Sequence, residues 1–363
     1  MLGGFLGAGK TTAVSQLAGH LKAQGLRVGM ITNDQGSRLV DTAMLQSRGF
    51  AVEEIAGGCF CCRFNSLMEA ADKLSRSSRP DAFIAEPVGS CTDLVATVTY
   101  PLRRIYGDEF VVAPLSVLVD PIRALRLFGL SDGSQFSDKV RYIYRKQLEE
   151  ADLILINKCD LISAEQAARL RAALENEFPH SEVLVISART GAGLGPWFDK
   201  LASAQQVERQ VMDVDYDRYA DGEALLGWLN ATVALTGVPS FHANQALQQL
   251  AAELESRLTS HHAEIAHLKM TLDPAGGLGD LAVINVVRND TIAELSQELE
   301  DPLITAGQLI LNLRAETDPE TLHRTVVESL AALTSATRGL RAEVEHIEFF
   351  KPGRPEPTHR VKH

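Results

Sequence analysis

Basic residues are scarce in this chain relative to acidic ones. Its 35 Lys and Arg face 47 Asp and Glu, leaving a net charge of −12. A nucleic-acid surface needs a basic face, so this balance argues against one, and equally against anionic membranes. No apolar run approaches the roughly 20 residues of a spanning helix. The opening residues, MLGGFLGAGK, lack a basic stretch followed by an apolar one and do not read as a signal peptide. Cysteine is sparse too. Five residues, three of them within four positions, do not make a secreted disulfide framework. A reducing cytoplasm is the expected compartment. Internal repeats and long low-complexity tracts are also missing. What is present is ordinary for a globular protein, with 45% hydrophobic and 23% charged residues. At about 100–200 residues per domain, 363 residues suggest two domains.

The first informative stretch is GFLGAGKT, Gly4 to Thr11, which fits the spacing G-x-x-x-x-G-K-T. Glycines in such a loop let backbone N–H groups turn inward around phosphate oxygens. The lysine reaches the β- and γ-phosphates and the threonine hydroxyl ligates Mg²⁺. Gly4, Gly7, Ala8, Gly9, Lys10, Thr11 and Thr12 are therefore candidate phosphate-binding positions, and Lys10 and Thr11 candidate catalytic ones. A helix should follow, since its positive end favours the anion. Val14, Leu17, Ala18 and Leu21 recur on one helical face, and Gly25 is a natural stop. Only Met1 and Leu2 precede the loop as strand residues, so the reading expects an N-terminus that lacks part of its first strand.

Short apolar runs follow, each ending in polar or glycine-rich residues. They are Arg27–Thr32, Val52–Ile55, Ala82–Ala85, Leu115–Val119, Leu153–Ile156 and Val183–Ile186. Helical patterns lie between several of them, at Phe64–Arg76, Ser137–Glu150 and Ala164–Glu177. This alternation predicts an α/β, P-loop NTPase domain with a mostly parallel sheet. The chemistry-bearing residues fall just after strands, where open α/β sheets bind ligands. Residues 1–204 make up this domain and 205–226 read as a polar, acidic connector. Residues 227–350 form a smaller α+β domain, with a ferredoxin-like arrangement as the candidate. Its strands are expected near Gly227–Leu235, Ile265–Leu272, Leu281–Val287, Gln308–Leu313 and Arg341–Phe350, and its helices at His242–Ser260 and Pro319–Ala336. The basic, proline-rich tail, 351–363, is expected to be mobile.

Asn157-Lys158-Cys159-Asp160 follows the strand Leu153–Ile156. Guanine offers N1–H and N2–H₂ as donors, and one carboxylate, Asp160, can accept both. Adenine offers no such pair, and a site built on hydrogen bonds rejects analogues lacking them, by roughly 10⁴ or more in favourable cases. Lys158 would lay its stem along the base and Asn157 would tie this loop to the P-loop. Ser187-Ala188 fits a second base-contacting turn. GTP or GDP is thus the expected nucleotide. Glu86, after Ala82–Ala85, stands where P-loop proteins place the acid that holds a water on Mg²⁺. Gly89, three residues on, could sense the γ-phosphate through its amide.

The stretch AGGCFCC, Ala56 to Cys62, holds Cys59, Cys61 and Cys62. Adjacent Cα atoms are about 3.8 Å apart, while disulfides want about 4.4–6.8 Å, so Cys61–Cys62 pairing is disfavoured. The surrounding glycines argue against a core position. Three thiolates from one loop suit a soft divalent ion in tetrahedral geometry with a fourth ligand from elsewhere. Cys91 could add a ligand, although core packing is the expected role. Cys159 takes the free position of the guanine motif.

GGFLGAGKTT, GGCFCC, Glu-x-x-Gly and NKCD, in this order, resemble the CobW family of P-loop GTPases, relatives of the HypB and UreG metal-centre chaperones. The motifs span roughly the first 200 residues. The resemblance implies a GTPase that delivers Zn²⁺, Co²⁺ or Ni²⁺ to a client metalloprotein, with Cys-x-Cys-Cys as the metal site. It also implies nucleotide-dependent self-association and a divergent C-terminal domain. The chain departs from the family after its second strand, where Asn33-Asp34-Gln35-Gly36 replaces Asn-Glu-Phe-Gly and Ser37 replaces an acidic residue. Asp34 and Asp41 remain candidates for secondary metal contacts. In place of a histidine-rich tract there are only His261, His262 and His267, read as solvated. Arg63 is a weak candidate for an arginine finger. The alternative is a regulatory GTPase with a structural zinc site. A small-molecule kinase shares the P-loop but has no use for Asn-Lys-x-Asp.

Overall fold

The computed structural model describes residues 1–33, 45, 49–107, 109–275, 280–291 and 293–362. Asp34, Gln35, Gly36, Ser37 and Asp41 lie outside the described residues. The chain divides into two compact units. One takes in Arg48–Gly222, the first residues of the chain and Arg354–His363; the other takes in Glu223–Gly353.

Among the described residues, the first unit is built on seven parallel strands. These are β1 (Leu2–Gly4), β2 (Val28–Asn33), β3 (Ala51–Ile55), β4 (Ala82–Glu86), β5 (Ser116–Val119), β6 (Leu153–Ile156) and β7 (Glu182–Val185). They form two ladders, β1-β5-β6-β7 and β3-β2-β4, which meet where β1 touches β4. Every residue of β5 and of β6 is buried. That is the signature of parallel strands covered on both faces, and it explains their continuous apolar runs. The helix after β1, Lys10–Ala23, buries Val14, Leu17 and Ala18. Gly25, at φ +84°, lets the chain turn away. Because the strands are parallel, Asn33, the cysteine loop, Glu86, Asp120, Asn157 and Ser187 all emerge from the same edge.

The second unit is one antiparallel sheet. Its strands are β8 (Leu226–His242), β9 (Glu264–Pro274), β10 (Ala282–Val286), β11 (Glu294–Gln297), β12 (Leu303–Glu316) and β13 (Leu340–Phe350), in the order β11-β10-β9-β12-β8-β13. The helix Ala243–Ser260 joins β8 to β9 and Pro319–Ala336 joins β12 to β13. Without the β10–β11 hairpin, the order is that of a ferredoxin-like β-α-β-β-α-β unit. Alternate residues of β8 (Leu229, Ala231, Val233, Leu235) and β12 (Leu309, Leu311, Leu313) share one core with Leu247, Leu250 and Leu254 of the first helix. Apolar spacing of two in the strands and of three or four in the helix makes this packing possible.

Several sequence expectations need correction. The strand expected at Gly227–Leu235 is the first half of a 17-residue strand, and β11, short and largely polar, was not anticipated. The connector carries a helix, Tyr216–Leu225. The tail expected to be mobile is held on the first unit. Thr358 N donates to Cys61 O at 2.8 Å, Val361 N to Ala96 O at 2.9 Å and Arg360 Nε to Asp93 Oδ2 at 2.7 Å. Low hydrophobicity is a poor guide here, because backbone hydrogen bonds and one buried carboxylate do the anchoring. His267, expected to be solvated, is buried within β9.

Candidate functional site

The loop between β1 and its helix curls back on itself. Lys10 Nζ donates to Gly4 O at 2.9 Å, so the ammonium sits inside the ring of backbone it closes. Gly4 has φ +132° and a Cβ there would stand 2.5 Å from Leu118 O; one at Gly9 would meet Asn157 Nδ2, also at 2.5 Å. No side chain fits at either place. Thr11 Oγ1 donates to Glu86 Oε1 at 3.1 Å, and both residues are buried. A hydroxyl and a carboxylate side by side at a phosphate loop are a donor set suited to Mg²⁺, the threonine directly and the acid through water. Thr12 lies in the helix's first turn.

Gly89 leans on the same loop. A Cβ on it would fall 2.7 Å from Leu6 Cδ2 and 3.0 Å from Leu6 N. Gln147 Nε2 fixes the turn by donating to Gly89 O and Cys91 O, at 2.9 and 2.8 Å.

The guanine motif is assembled on the other side. Asn157 Nδ2 donates to Ala8 O at 2.8 Å and Asn157 Oδ1 accepts from Ala188 N at 2.9 Å. One amide therefore joins three loops. Lys158, at φ +55°, donates to Gly7 O at 2.6 Å and pairs with Asp120 Oδ2 at 2.9 Å. Asp160 accepts from Ser187 Oγ and from Arg189 Nη2, each at 2.6 Å. Burial pushes its pKa up, but those two hydrogen bonds outweigh it and hold the carboxyl below its ordinary range. Cys159 is half-buried and its amide donates to Ile186 O at 3.1 Å. Sequence reading missed Asp120 and Arg189. Asp120 follows β5 as Asn157 follows β6, and that shared position was the available signal.

The cysteine loop leaves β3. Asn33 Nδ2, at the end of β2, donates to Ile55 O and Gly58 O at 2.9 and 2.7 Å. Cys59 O accepts from Cys62 N and Arg63 N, which folds the loop into the start of helix Phe64–Ser77. Arg63, weighed as an arginine finger, holds Gly57 O instead. The three sulfurs converge, with Cys59–Cys61 at 2.7 Å, Cys59–Cys62 at 3.2 Å and Cys61–Cys62 at 3.7 Å. Contrary to the expectation from the glycines, Cys59 and Cys61 are buried and only Cys62 is part-exposed. The tail approaches that side: Glu356 N donates to Cys62 Sγ at 3.2 Å, and His359 meets the Phe64 ring edge-on at 5.0 Å.

The cluster divides its charge unevenly. Hydrogen bonds from Cys61, Cys62 and Cys91 outweigh burial and hold the Cys59 thiol well below its ordinary value. The hydrogen bond to Cys59, together with burial, pushes Cys61 well up and Cys62 up to about 11. Cys59 is therefore the sulfur of the three that ionises most readily. Three sulfur ligand atoms within 4.8 Å of one another fit a soft divalent ion. Among the described residues no other His, Cys, Asp or Glu group comes together in this way, and His261, His262 and His267 form none.

The family model described as CobW/HypB/UreG, nucleotide-binding domain, matches residues 1–185. The chain is 30% identical over 209 residues to zinc chaperone CobW of Sinorhizobium sp, covering 52% of this chain and 58% of that one. It is 32% identical over 174 residues to zinc chaperone YeiR of Escherichia coli K12, covering 47% and 49%. It thus spans about half the length of these curated relatives. Among solved structures, HypB from Helicobacter pylori in complex with nickel is 18% identical, with a TM-score of 0.40, over 57% of this chain and 90% of that one. With its phosphate loop, guanine motif and cysteine cluster on one sheet edge, and its first half matched by the family's nucleotide-binding domain, the chain belongs to the CobW/HypB/UreG family.

Proposed function

We propose that this protein is a GTP-hydrolysing metal chaperone. It binds a divalent ion, Zn²⁺, Co²⁺ or Ni²⁺, at Cys59, Cys61 and Cys62 and passes it to a client metalloprotein under control of the nucleotide. The observation that carries this reading is one of placement. The thiol cluster hangs from β3, two strands from Glu86, whose carboxylate accepts from Thr11 of the phosphate loop. The relatives named zinc chaperones support the cargo.

In this reading backbone amides between Gly4 and Thr12 cradle the phosphates. Lys10 turns from Gly4 O to the β- and γ-phosphate oxygens, where charge grows as the terminal bond breaks. Thr11 directly and Glu86 through water would hold Mg²⁺, which would supply positive charge against the phosphates. Asp160 accepts N1–H and N2–H₂ of guanine, with Ser187 and Ala188 completing the base pocket. Gly89, lying against Leu6, is placed to register whether the γ-phosphate is present. The proposed setting is the cytoplasm, with a nucleotide-dependent homodimer as the working form.

The test is a metal titration against a competing chelator, with GDP, with a non-hydrolysable GTP analogue and without nucleotide. A working chaperone should show a coupling of about 1–3 kcal/mol, or roughly 5–150-fold in affinity. Linkage requires the metal to alter GTP affinity by the same factor. Identical metal affinities in all three states would remove delivery. They would leave the second reading, a regulatory GTPase with structural zinc, which the burial of Cys59 and Cys61 favours. A slow metal exchange rate would point the same way.

A further inference from the structure

The segment after β4, from Gly89 to Asp93, is held by side chains from far along the chain. Gln147 Nε2 donates to Gly89 O and Cys91 O. Thr92 Oγ1 donates to Glu150 Oε1 at 3.4 Å. Two tyrosines of helix Tyr216–Leu225 complete the hold. The Tyr219 hydroxyl accepts from Thr92 N and donates to Ser90 O, each at 3.3 Å. Tyr216 OH donates to Asp93 Oδ2 at 2.7 Å.

A buried tyrosine is ordinarily an apolar body whose hydroxyl finds some partner. Tyr219 does more than that. Tyr216 and Tyr219 stand three residues apart, on one helical face, and both hydroxyls reach the same short stretch of chain. Ser90, Thr92 and Tyr219 are all at most 1% exposed, so water cannot replace the hydroxyl if it is lost. A phenol suits the place because it donates and accepts at one atom. Asp93 has φ +64°, a left-handed conformation that a non-glycine residue keeps only where its surroundings impose it.

Both ends of this arrangement are close-packed. At one end a Cβ on Gly89 would lie 3.0 Å from Leu6 N, so the segment is already seated on the phosphate loop. At the other, a Cβ on Gly222 would lie 2.6 Å from Lys139 O. Helix Tyr216–Leu225 therefore lies directly against helix Asp138–Glu150, which carries Gln147 and Glu150. The first of these helices ends at Leu225, and β8 starts at Leu226 with no loop between.

We propose that Tyr219 is a positioning residue for GTP: its hydroxyl fixes Ser90 and Thr92 so that the Gly89 amide is in place before the γ-phosphate arrives, and it makes helix Tyr216–Leu225 part of the body that responds to the nucleotide. The inference rests on the reading of Gly89 as the γ-phosphate sensor. Without the hydroxyl, GTP must order the segment itself, and that cost is taken from its affinity. GDP has no γ-phosphate and does not draw on this contact.

Tyr219→Phe removes the hydroxyl and keeps the ring. Calorimetry should show GDP affinity as in the wild type. A non-hydrolysable GTP analogue should bind about tenfold more weakly, within the range for a buried hydrogen bond lost. A tyrosine that only supports the fold would lower both affinities alike. In the wild-type protein, hydrogen exchange followed by mass spectrometry should show slower exchange in residues 89–93 and in 216–225 when the analogue replaces GDP. That measurement decides the matter if the variant does not fold. Equal losses for the two nucleotides, or no loss for either, would overturn the proposal. So would a wild-type response confined to residues 89–93. A response in neither segment would overturn both this proposal and the reading of Gly89 as the sensor.

Discussion

Asp160→Asn is the sharpest test of the nucleotide assignment, because the change is nearly isosteric. In the structure both carboxylate oxygens are engaged, one by Ser187 and one by Arg189. The Arg189 side chain is 67% exposed. An ion pair with so exposed a partner contributes only about 0–1 kcal/mol, so losing it should leave the fold intact, and the guanidinium can swing aside for a base. A guanine that replaces these donors makes two hydrogen bonds to a charged acceptor, each contributing about 1.5–3 kcal/mol. Asparagine keeps one acceptor and turns an NH₂ towards guanine's own donors. The loss should then be roughly 3–6 kcal/mol, or about 10²–10⁴-fold in affinity. Xanthine offers an oxygen where guanine has its amino group, so the same variant should gain affinity for xanthosine diphosphate. Calorimetry with GDP, XDP and ADP, beside a thermal melt, reads all three effects. Equal wild-type affinities for ADP and GDP, or an unchanged GDP affinity in a stable Asp160→Asn protein, would refute the guanine assignment.

Lys10→Ala should lower GTP turnover by about 10²–10³-fold or more, the range for one lost transition-state donor, in a single-turnover phosphate-release assay. Gly89→Ala should destabilise the first unit by about 1–3 kcal/mol, the usual cost of overpacking, because its Cβ would lie 3.0 Å from the Leu6 amide; GDP affinity should fall with the melting temperature. Metal affinity should rise with pH. Cys61 and Cys62 are pushed above the ordinary thiol range, and thiols must give up their protons to bind a metal, so the affinity should climb steadily as pH rises through neutrality, measured by chelator competition, and a flat profile would contradict the thiol cluster.

The parallel sheet was legible because strands buried on both faces read as unbroken apolar runs, and Leu153–Ile156 coincides with its expected span. The α+β unit was legible from its alternation; helix Pro319–Ala336 begins at a proline and is capped by Asp318. Asp120 was not legible, since a lone acid after a strand is common and only its contact with Lys158 gives it a place. The tail was the largest gap. Its anchors are backbone amides, which leave no trace in composition, and Arg360, whose partner Asp93 lies 267 positions away. Asp93 is buried and bound by both Tyr216 and Arg360. Burial pushes its pKa up, against both of those partners, so removing Arg360 leaves a costly group behind. Breaking such a pair from one side costs about 3–5 kcal/mol when it is fully buried; here Arg360 is partly exposed, so the cost should be smaller, and it should fall on the tail before the sheet. Arg360→Ala should therefore detach the segment from Arg354 onward and uncover Cys62, the one part-exposed sulfur of the cluster. The rate at which a thiol reagent labels Cys62, followed by peptide mass spectrometry, should rise while the main melting transition changes little. An unchanged labelling rate in Arg360→Ala, and again in a chain ending at Gly353, would show that the tail does not shield the cluster.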